Sequence, residues 1–165
     1  MYEKSIALLQ KAVADELNAV HQYMYFHFHA NNQGLKLLAN LFQRTAIEEM
    51  IHIERIAERI LFLSGDVEME PSLPVEKIHD IKEMLAKARE MEETAIRDYN
   101  QFALDVGSDS ATRNLFEGLV EDEERHFDEY GNESNNVERF GDSYLAQQAM
   151  ENSRKIGIPE GNVAR

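Results

Sequence analysis

Two Glu-x-x-His motifs are the feature of this sequence with the clearest chemical meaning. One joins Glu49 to His52, and the other joins Glu123 to His126. Residues three apart lie on one face of an α-helix, so each motif presents a carboxylate and an imidazole together. Oxygen and imidazole ligands without sulfur suit iron or manganese. One such motif arises readily by chance, but two of them in register with apolar stripes predict a metal site.

Two further glutamates interrupt apolar helix faces in the same way. Glu16 fills a position that should be apolar in the first stripe, and Glu92 does so in the third. A repeated sequence pattern supports Glu92, rather than its acidic neighbours, as the metal ligand. Each of these two glutamates is followed by Ala three residues later and by a tyrosine seven residues later, namely Tyr23 and Tyr99. The chain therefore looks like a duplicated helical hairpin, in which each half supplies one Glu and one Glu-x-x-His.

Four carboxylates in one core need compensation, if the four stripes face each other. Removing an ionised carboxylate from water costs several kcal/mol, and no lysine or arginine lies on these stripes near the centre. Two divalent cations would neutralise the four charges, with neutral imidazoles as further ligands. The prediction is a di-metal site with these ligands: Glu16, Glu49, His52, Glu92, Glu123 and His126.

Four amphipathic segments must position these side chains. Apolar residues recur at spacings of three and four over 3–30, 35–63, 75–106 and 111–140. The first and third connections are short and join antiparallel neighbours, whereas residues 64–74 are long enough to cross most of a helix length. A short helix over 142–153 and an irregular tail over 157–165 follow. These patterns predict one all-α, ferritin-like four-helix domain over 1–165, with one long crossover and a short fifth helix.

Composition excludes several classes of function. The net charge is −14, which disfavours nucleic-acid binding and concentrates cations near the surface. No apolar run approaches the about 20 residues of a membrane span. No signal peptide is visible at the N-terminus, so a cytoplasmic protein is expected. Cysteine is absent, which excludes disulfides and thiolate metal sites.

Over nearly the whole chain, the sequence resembles the bacterioferritin family. Besides the ligand positions, residues 58–65 resemble the end of that family's second helix, and residues 141–148 resemble its short fifth helix. The resemblance implies that Glu49 and Glu123 bridge two iron ions and that Tyr23 lies just outside the ligands. The remaining ligands would then pair as Glu16 with His52 and Glu92 with His126.

The resemblance implies that this chain is an iron storage and detoxification protein. Such a protein oxidises Fe(II) with O2 or H2O2 at a ferroxidase centre and stores ferric mineral inside a hollow shell of 24 identical subunits. The family also binds haem b between two subunits through a pair of methionines, and Met50 occupies the corresponding position. Methionine at this place also occurs in non-haem ferritins, so both readings of Met50 stay open.

Two other functions fit parts of the pattern. A rubrerythrin-like peroxidase or a manganese-catalase-like enzyme would use the same ligands without storing iron. The absence of cysteine argues against an attached rubredoxin iron site, and the fifth-helix resemblance favours a shell. A metal-free helical scaffold for protein partners is the second of these functions, and it would leave the buried carboxylates uncompensated.

Residues beside the ligands carry less specific expectations. Tyr23 and Tyr99 are either plain core tyrosines or donors to a metal-binding carboxylate. Glu48, Asp122 and Glu124 adjoin the motifs but are expected to face away from the site and to be solvated.

Overall fold

The computed structural model describes residues 2–157 and contains four helices in that range. They are α1 (Glu3–Asn32), α2 (Lys36–Phe62), α3 (Ile81–Asp105) and α4 (Ser110–Gly157). The predicted all-α, four-helix architecture is confirmed. None of the described helices is both long and apolar enough to cross a lipid bilayer. Most of the predicted irregular tail, residues 158–165, lies outside the described residues.

The helices pack as two hairpins placed side by side. Helix α1 packs against α2 and α3 against α4, while α2 also contacts α4 and α1 contacts α3. The hairpin turns contain Gly34 and Gly107, whose φ values of 80° and 64° lie in the left-handed region. Glycine adopts this conformation without the steric cost of a Cβ atom, which explains why both helices end there. Residues 63–80 form the crossover between the hairpins.

The crossover is longer than predicted, because α3 begins at Ile81 and the expected start near residue 75 was wrong. Asp80 has extended backbone angles, and its carboxylate accepts a backbone N–H from the first turn at 3.0 Å. Earlier in the crossover, the Gln22 side chain donates to the Glu76 carbonyl at 2.9 Å and accepts from the Glu76 N–H at 2.8 Å. These bonds occupy backbone groups that a longer helix would need.

Helix α4 is interrupted once, at Gly141, where φ is 53° and ψ is −135°. The absence of a side chain lets this residue adopt a conformation that breaks the helical path. The backbone then continues as helix to Gly157, so the predicted short helix over 142–153 corresponds to the part of α4 beyond the kink. A separate fifth helix is not confirmed, and its predicted end was too early.

Two apolar clusters fill the bundle, with a polar layer between them. The first cluster includes Tyr23, Phe26 and Phe42, and the second includes Val13, Ile56 and Phe116. On α1, Glu16 lies between a member of each cluster, and the other three helices repeat this arrangement. The helices therefore bring their central polar side chains to one level, sealed by apolar residues above and below.

Candidate metal centre

Six polar side chains meet in the layer between the two apolar clusters, and none of them is more than 3% exposed. Helices α1 and α3 each supply one glutamate, and α2 and α4 each supply a glutamate and a histidine. They are the residues singled out by the sequence: Glu16, Glu49, His52, Glu92, Glu123 and His126. The structure therefore brings all six predicted residues together.

The ligand atoms form two overlapping groups, and within each group they lie within 4.8 Å of one another. The first group is Glu16, Glu49, His52 and Glu123, and the second is Glu49, Glu92, Glu123 and His126. Glu49 and Glu123 belong to both groups, so each of these carboxylates can offer one oxygen to each of two ions. The centroids of the two imidazole rings lie 6.1 Å apart, and the two Nδ1 atoms contact different oxygens of the shared carboxylates.

Contacts between His52 and the two shared glutamates are close but do not form hydrogen bonds. His52 Nδ1 lies 2.8 Å from Glu49 Oε2 and 3.1 Å from Glu123 Oε1. None of these three atoms has a hydrogen-bond partner within the described residues. Buried polar atoms without partners are costly, and a shared cation would satisfy all three at once. The carboxylate and imidazole donor set fits iron or manganese.

Burial and crowding perturb the titration of the central carboxylates. Burial, reinforced by the carboxylates of Glu16 and Glu92, raises the pKa of Glu49 to about 7. Burial, followed by repulsion from Glu123, raises the pKa of Glu92 to about 8. Burial opposes protonation of the two histidines, but their contacts with these carboxylates raise the pKa of each imidazole well above its ordinary value. Metal ions must therefore displace protons when they bind.

Two buried tyrosines donate hydrogen bonds across the interface between α1 and α3 to Glu16 and Glu92, the outer glutamates of the centre. Tyr23 of α1 donates to Glu92 at 2.5 Å, and Tyr99 of α3 donates to Glu16 at 2.5 Å. Burial, with the neighbouring carboxylates, raises the pKa of both phenols well above its ordinary value, so both stay protonated donors. Tyr23 and Tyr99 are therefore hydrogen-bond donors to carboxylates of the centre, rather than plain core tyrosines.

A second crosswise pair joins α2 to α4, and sequence analysis missed it. The Nε2 atom of His126 lies 2.6 Å from Glu48 Oε2, and that of His52 lies 3.2 Å from Asp122 Oδ2. An Nε2–H donated to each carboxylate leaves Nδ1, the atom that faces the centre, available as a ligand. The expectation that Glu48 and Asp122 face away from the site was wrong, whereas Glu124 is exposed as expected.

A cavity of about 330 Å³ connects the centre to the surface between α1 and α3. Its inner wall includes Glu16 and Glu92, and crossover residues 72–74 form part of its outer rim. Lys11 and Asp98 lie among the other lining residues. Small solutes therefore have a route to the ligand atoms from this side of the bundle.

Met50 lies on the outer face of α2, away from the ligand atoms. It is 54% exposed, and the neighbouring Ile47 and Ile51 are both 49% exposed. This exposure leaves the Met50 thioether accessible to a group bound outside the bundle. The haem assignment for Met50 stays a prediction.

Comparisons with known proteins agree with this geometry. The ferritin-like domain family matches residues 6–140. A bacterioferritin from Desulfovibrio desulfuricans is 34% identical over 148 residues, which is 88% of this chain and 83% of the relative. One from Rhodobacter capsulatus is 34% identical over 76% of this chain and 79% of its own length. One from Streptomyces coelicolor is 28% identical over 90% of each chain. The chain therefore belongs to the bacterioferritins, within the ferritin-like proteins.

Proposed function

We propose that the protein stores and detoxifies iron by oxidising Fe(II) at the six-residue centre inside each chain. The observation that carries this proposal is the pair of overlapping ligand groups, which share Glu49 and Glu123 and lie among side chains that are no more than 3% exposed. Membership of the bacterioferritins supports iron as the metal rather than manganese. The negative surface, with a net charge of −14, favours the approach of cations.

Each ligand has a defined role in the proposal. Glu49 and Glu123 bridge the two metal positions. The other ligands complete one position each, Glu16 with His52 and Glu92 with His126. Tyr23 and Tyr99 keep the two outer glutamates oriented, and the apolar clusters above and below exclude water, so that the geometry is set before the metal arrives.

Fe(II) is the substrate of the proposed reaction. Two Fe(II) ions lose one electron each, and one H2O2 with two protons accepts them to form two waters. With O2 as the acceptor, the same two electrons and two protons give H2O2. Holding two ions at one centre lets the oxidant take both electrons together, which avoids release of a one-electron product.

The storage part of the proposal is a hollow homo-oligomeric shell of 24 chains that holds the ferric product. A rubrerythrin-like peroxidase or manganese-catalase-like enzyme would share the centre but would not form such a shell. Native mass spectrometry separates the two, because a shell has a mass near 24 times the 19.0 kDa chain. A dimer or tetramer with full oxidase activity would favour the alternative.

Stopped-flow oxidation of Fe(II), added at two ions per chain, tests the catalytic part. Replacing Glu123 by alanine removes an oxygen donor from both positions, so the rapid phase should slow by about 100-fold or more. The matched control is Glu124→Ala, which removes the exposed neighbouring carboxylate and should leave the rate unchanged. An unchanged rate in folded Glu123→Ala protein would refute the assignment of this centre.

A further inference from the structure

One methionine lies in the wall of the cavity between α1 and α3. Met91 comes directly before the ligand Glu92 on α3, and both residues line this cavity. The Met91 side chain is half-buried and packs against the apolar cluster that contains Tyr23 and Phe26. Met91 therefore lies beside the metal centre, next to the space through which small solutes reach the ligands.

The other methionines whose side chains the structure describes lie elsewhere. Met84 is fully buried in the core, and Met24 is partly buried against the same apolar cluster. Three more are over half exposed, namely Met50, Met69 and Met150 at 54%, 58% and 54%. None of these methionines lines the cavity. Position, and not exposure, therefore distinguishes Met91.

Thioethers are the side chains of this protein most open to peroxide. Cysteine and tryptophan are absent from the chain, and H2O2 oxidises methionine to its sulfoxide. The sulfur attacks one peroxide oxygen, the O–O bond breaks, and proton transfer releases one water. Sulfur loses two electrons and the peroxide gains them, so no further reactant is needed. In the proposed reaction H2O2 is either the product of O2 reduction or the oxidant itself, so it is present at the centre in both cases.

We propose that Met91 is a modification site, at which H2O2 formed or consumed at the metal centre converts the thioether to the sulfoxide. The cavity brings peroxide to this sulfur before it mixes with the surrounding solution, which compensates for the lower exposure of Met91. Each oxidised Met91 consumes one peroxide close to the ligand side chains, and a methionine sulfoxide reductase restores the thioether. This inference rests on the proposed function and adds the side chain that its peroxide modifies.

Peptide mapping by mass spectrometry tests the inference on the intact assembled protein. One sample receives repeated additions of Fe(II), two ions per chain, in air and with catalase in the solution. A second sample, free of iron, receives H2O2 alone. Trypsin cuts after lysine and arginine, which leaves Met91 on the peptide 90–97 and Met69 on the peptide 60–77, each as its only methionine. Met69 is the matched reference, because it lies in the crossover and is more exposed than Met91.

Oxidation by peroxide from the centre should favour Met91. In the iron sample, the fraction of Met91 converted to sulfoxide is expected to exceed that of Met69 by about 5-fold or more. In the sample with H2O2 alone, Met69 should be oxidised more, because its side chain is more accessible to the solution. Glu123→Ala, which removes a ligand of both metal positions and slows Fe(II) oxidation, should lose the preference for Met91.

Three results would overturn the inference. One is equal or greater oxidation of Met69 in the iron sample. Another is a preference for Met91 that persists in Glu123→Ala protein with slowed Fe(II) oxidation. The third is the same preference with H2O2 alone, because the metal centre would then not be its source. Rapid Fe(II) oxidation by wild type with unmodified Met91 would refute this inference alone, whereas an unchanged rate in folded Glu123→Ala protein would refute the proposed function.

Discussion

Each outer glutamate of the centre depends on a tyrosine from the opposite hairpin. Glu16 accepts its hydrogen bond from Tyr99, and Glu92 accepts one from Tyr23. Because the hydroxyl is a neutral donor, it orients the carboxylate without cancelling the charge that a cation needs. The tyrosines therefore favour a metal-ready arrangement of the site.

Removing one tyrosine hydroxyl should weaken metal binding while the core stays packed. Tyr99→Phe is expected to reduce Co(II) affinity by about 10-fold, since loss of an outer hydrogen bond typically costs this much. Tyr130→Phe is the matched control, because Tyr130 is equally buried and its hydroxyl makes no hydrogen bond within the described residues. Equal losses of affinity in the two variants would contradict the role given to Tyr99.

The buried carboxylates should make the metal-free protein sensitive to pH. The pKa of Glu92 is raised from 4.5 to about 8 on folding, mainly by burial. Because its pKa is raised in the folded state, the stability that Glu92 contributes is fully present below about pH 4.5. This contribution is lost as the pH rises through about 8. Glu49 acts in the same direction, with a pKa of about 7.

We therefore expect the melting temperature of metal-free protein to fall by about 4 °C or more between pH 6 and pH 9, measured by circular dichroism. Glu92→Gln should flatten this dependence, because the amide stays neutral. Glu93→Gln, at the exposed neighbouring position, should keep the wild-type slope. A melting temperature that rises over this range would contradict the account.

The ligands could be predicted from sequence because each one interrupts an apolar stripe on its own helix. Glu48 and Asp122 could not, since what defines them is a partner on another helix. Glu48 lies 78 residues from His126, and Asp122 lies 70 residues from His52. A weak local signal exists, because both motif glutamates are preceded by an acidic residue, but it does not reveal which way the side chain points.

Helix boundaries show the same division between local and long-range causes. Short turns with glycine define the ends of α1 and α3, and these were predicted closely. The start of α3 was missed, because Gln22 of α1 holds the backbone of Glu76 in the crossover. Asp80 is a local helix-capping signal, but it does not by itself exclude an earlier helix start. The tertiary contacts of the preceding crossover residues determine that the helix begins only after Asp80.

Two aspartates that begin helices allow a quantitative comparison. Asp80 is exposed and caps α3, whereas Asp109 is buried, bonds Thr112 of α4 and pairs with Arg59 at 2.7 Å. Asp80→Ala should lower the free energy of unfolding by about 1 kcal/mol. Asp109→Ala should lower it by about 3 kcal/mol, because it also leaves a partly buried guanidinium without its partner.

Urea unfolding of the metal-free protein measures both aspartate variants. The free energy of unfolding must fall with urea concentration at the same slope in both variants. A changed slope would indicate a departure from two-state unfolding. Equal losses would contradict the claim that Asp109 anchors α4 through the ion pair as well as the cap.

At the scale of the whole molecule, the outer face of α2 carries an exposed apolar patch. Ile47, Met50 and Ile51 are exposed together on one helix face. If two chains pair across this face, the symmetry of a homodimer brings their Met50 side chains towards each other. The sequence could suggest this only through the family resemblance, because the second haem ligand would belong to another chain.

Haem binding should therefore depend on Met50 and on pairing. Haem added to the purified protein is expected to bind at one per two chains, with an absorption spectrum typical of methionine ligation. Met50→Ala should lose this spectrum but keep rapid Fe(II) oxidation. Met69→Ala, at another exposed methionine, is the control and should keep it. Haem bound equally by the Met50→Ala protein would contradict the assignment.

Each chain is proposed to hold two iron ions in a centre to which all four helices contribute ligands. Crystals soaked with Fe(II) without oxygen, and measured at the iron absorption edge, test it most directly. Two anomalous peaks per chain are expected, one beside His52 and one beside His126, with Glu49 and Glu123 between them. A single peak, or no peak among these side chains while iron binds elsewhere, would contradict it.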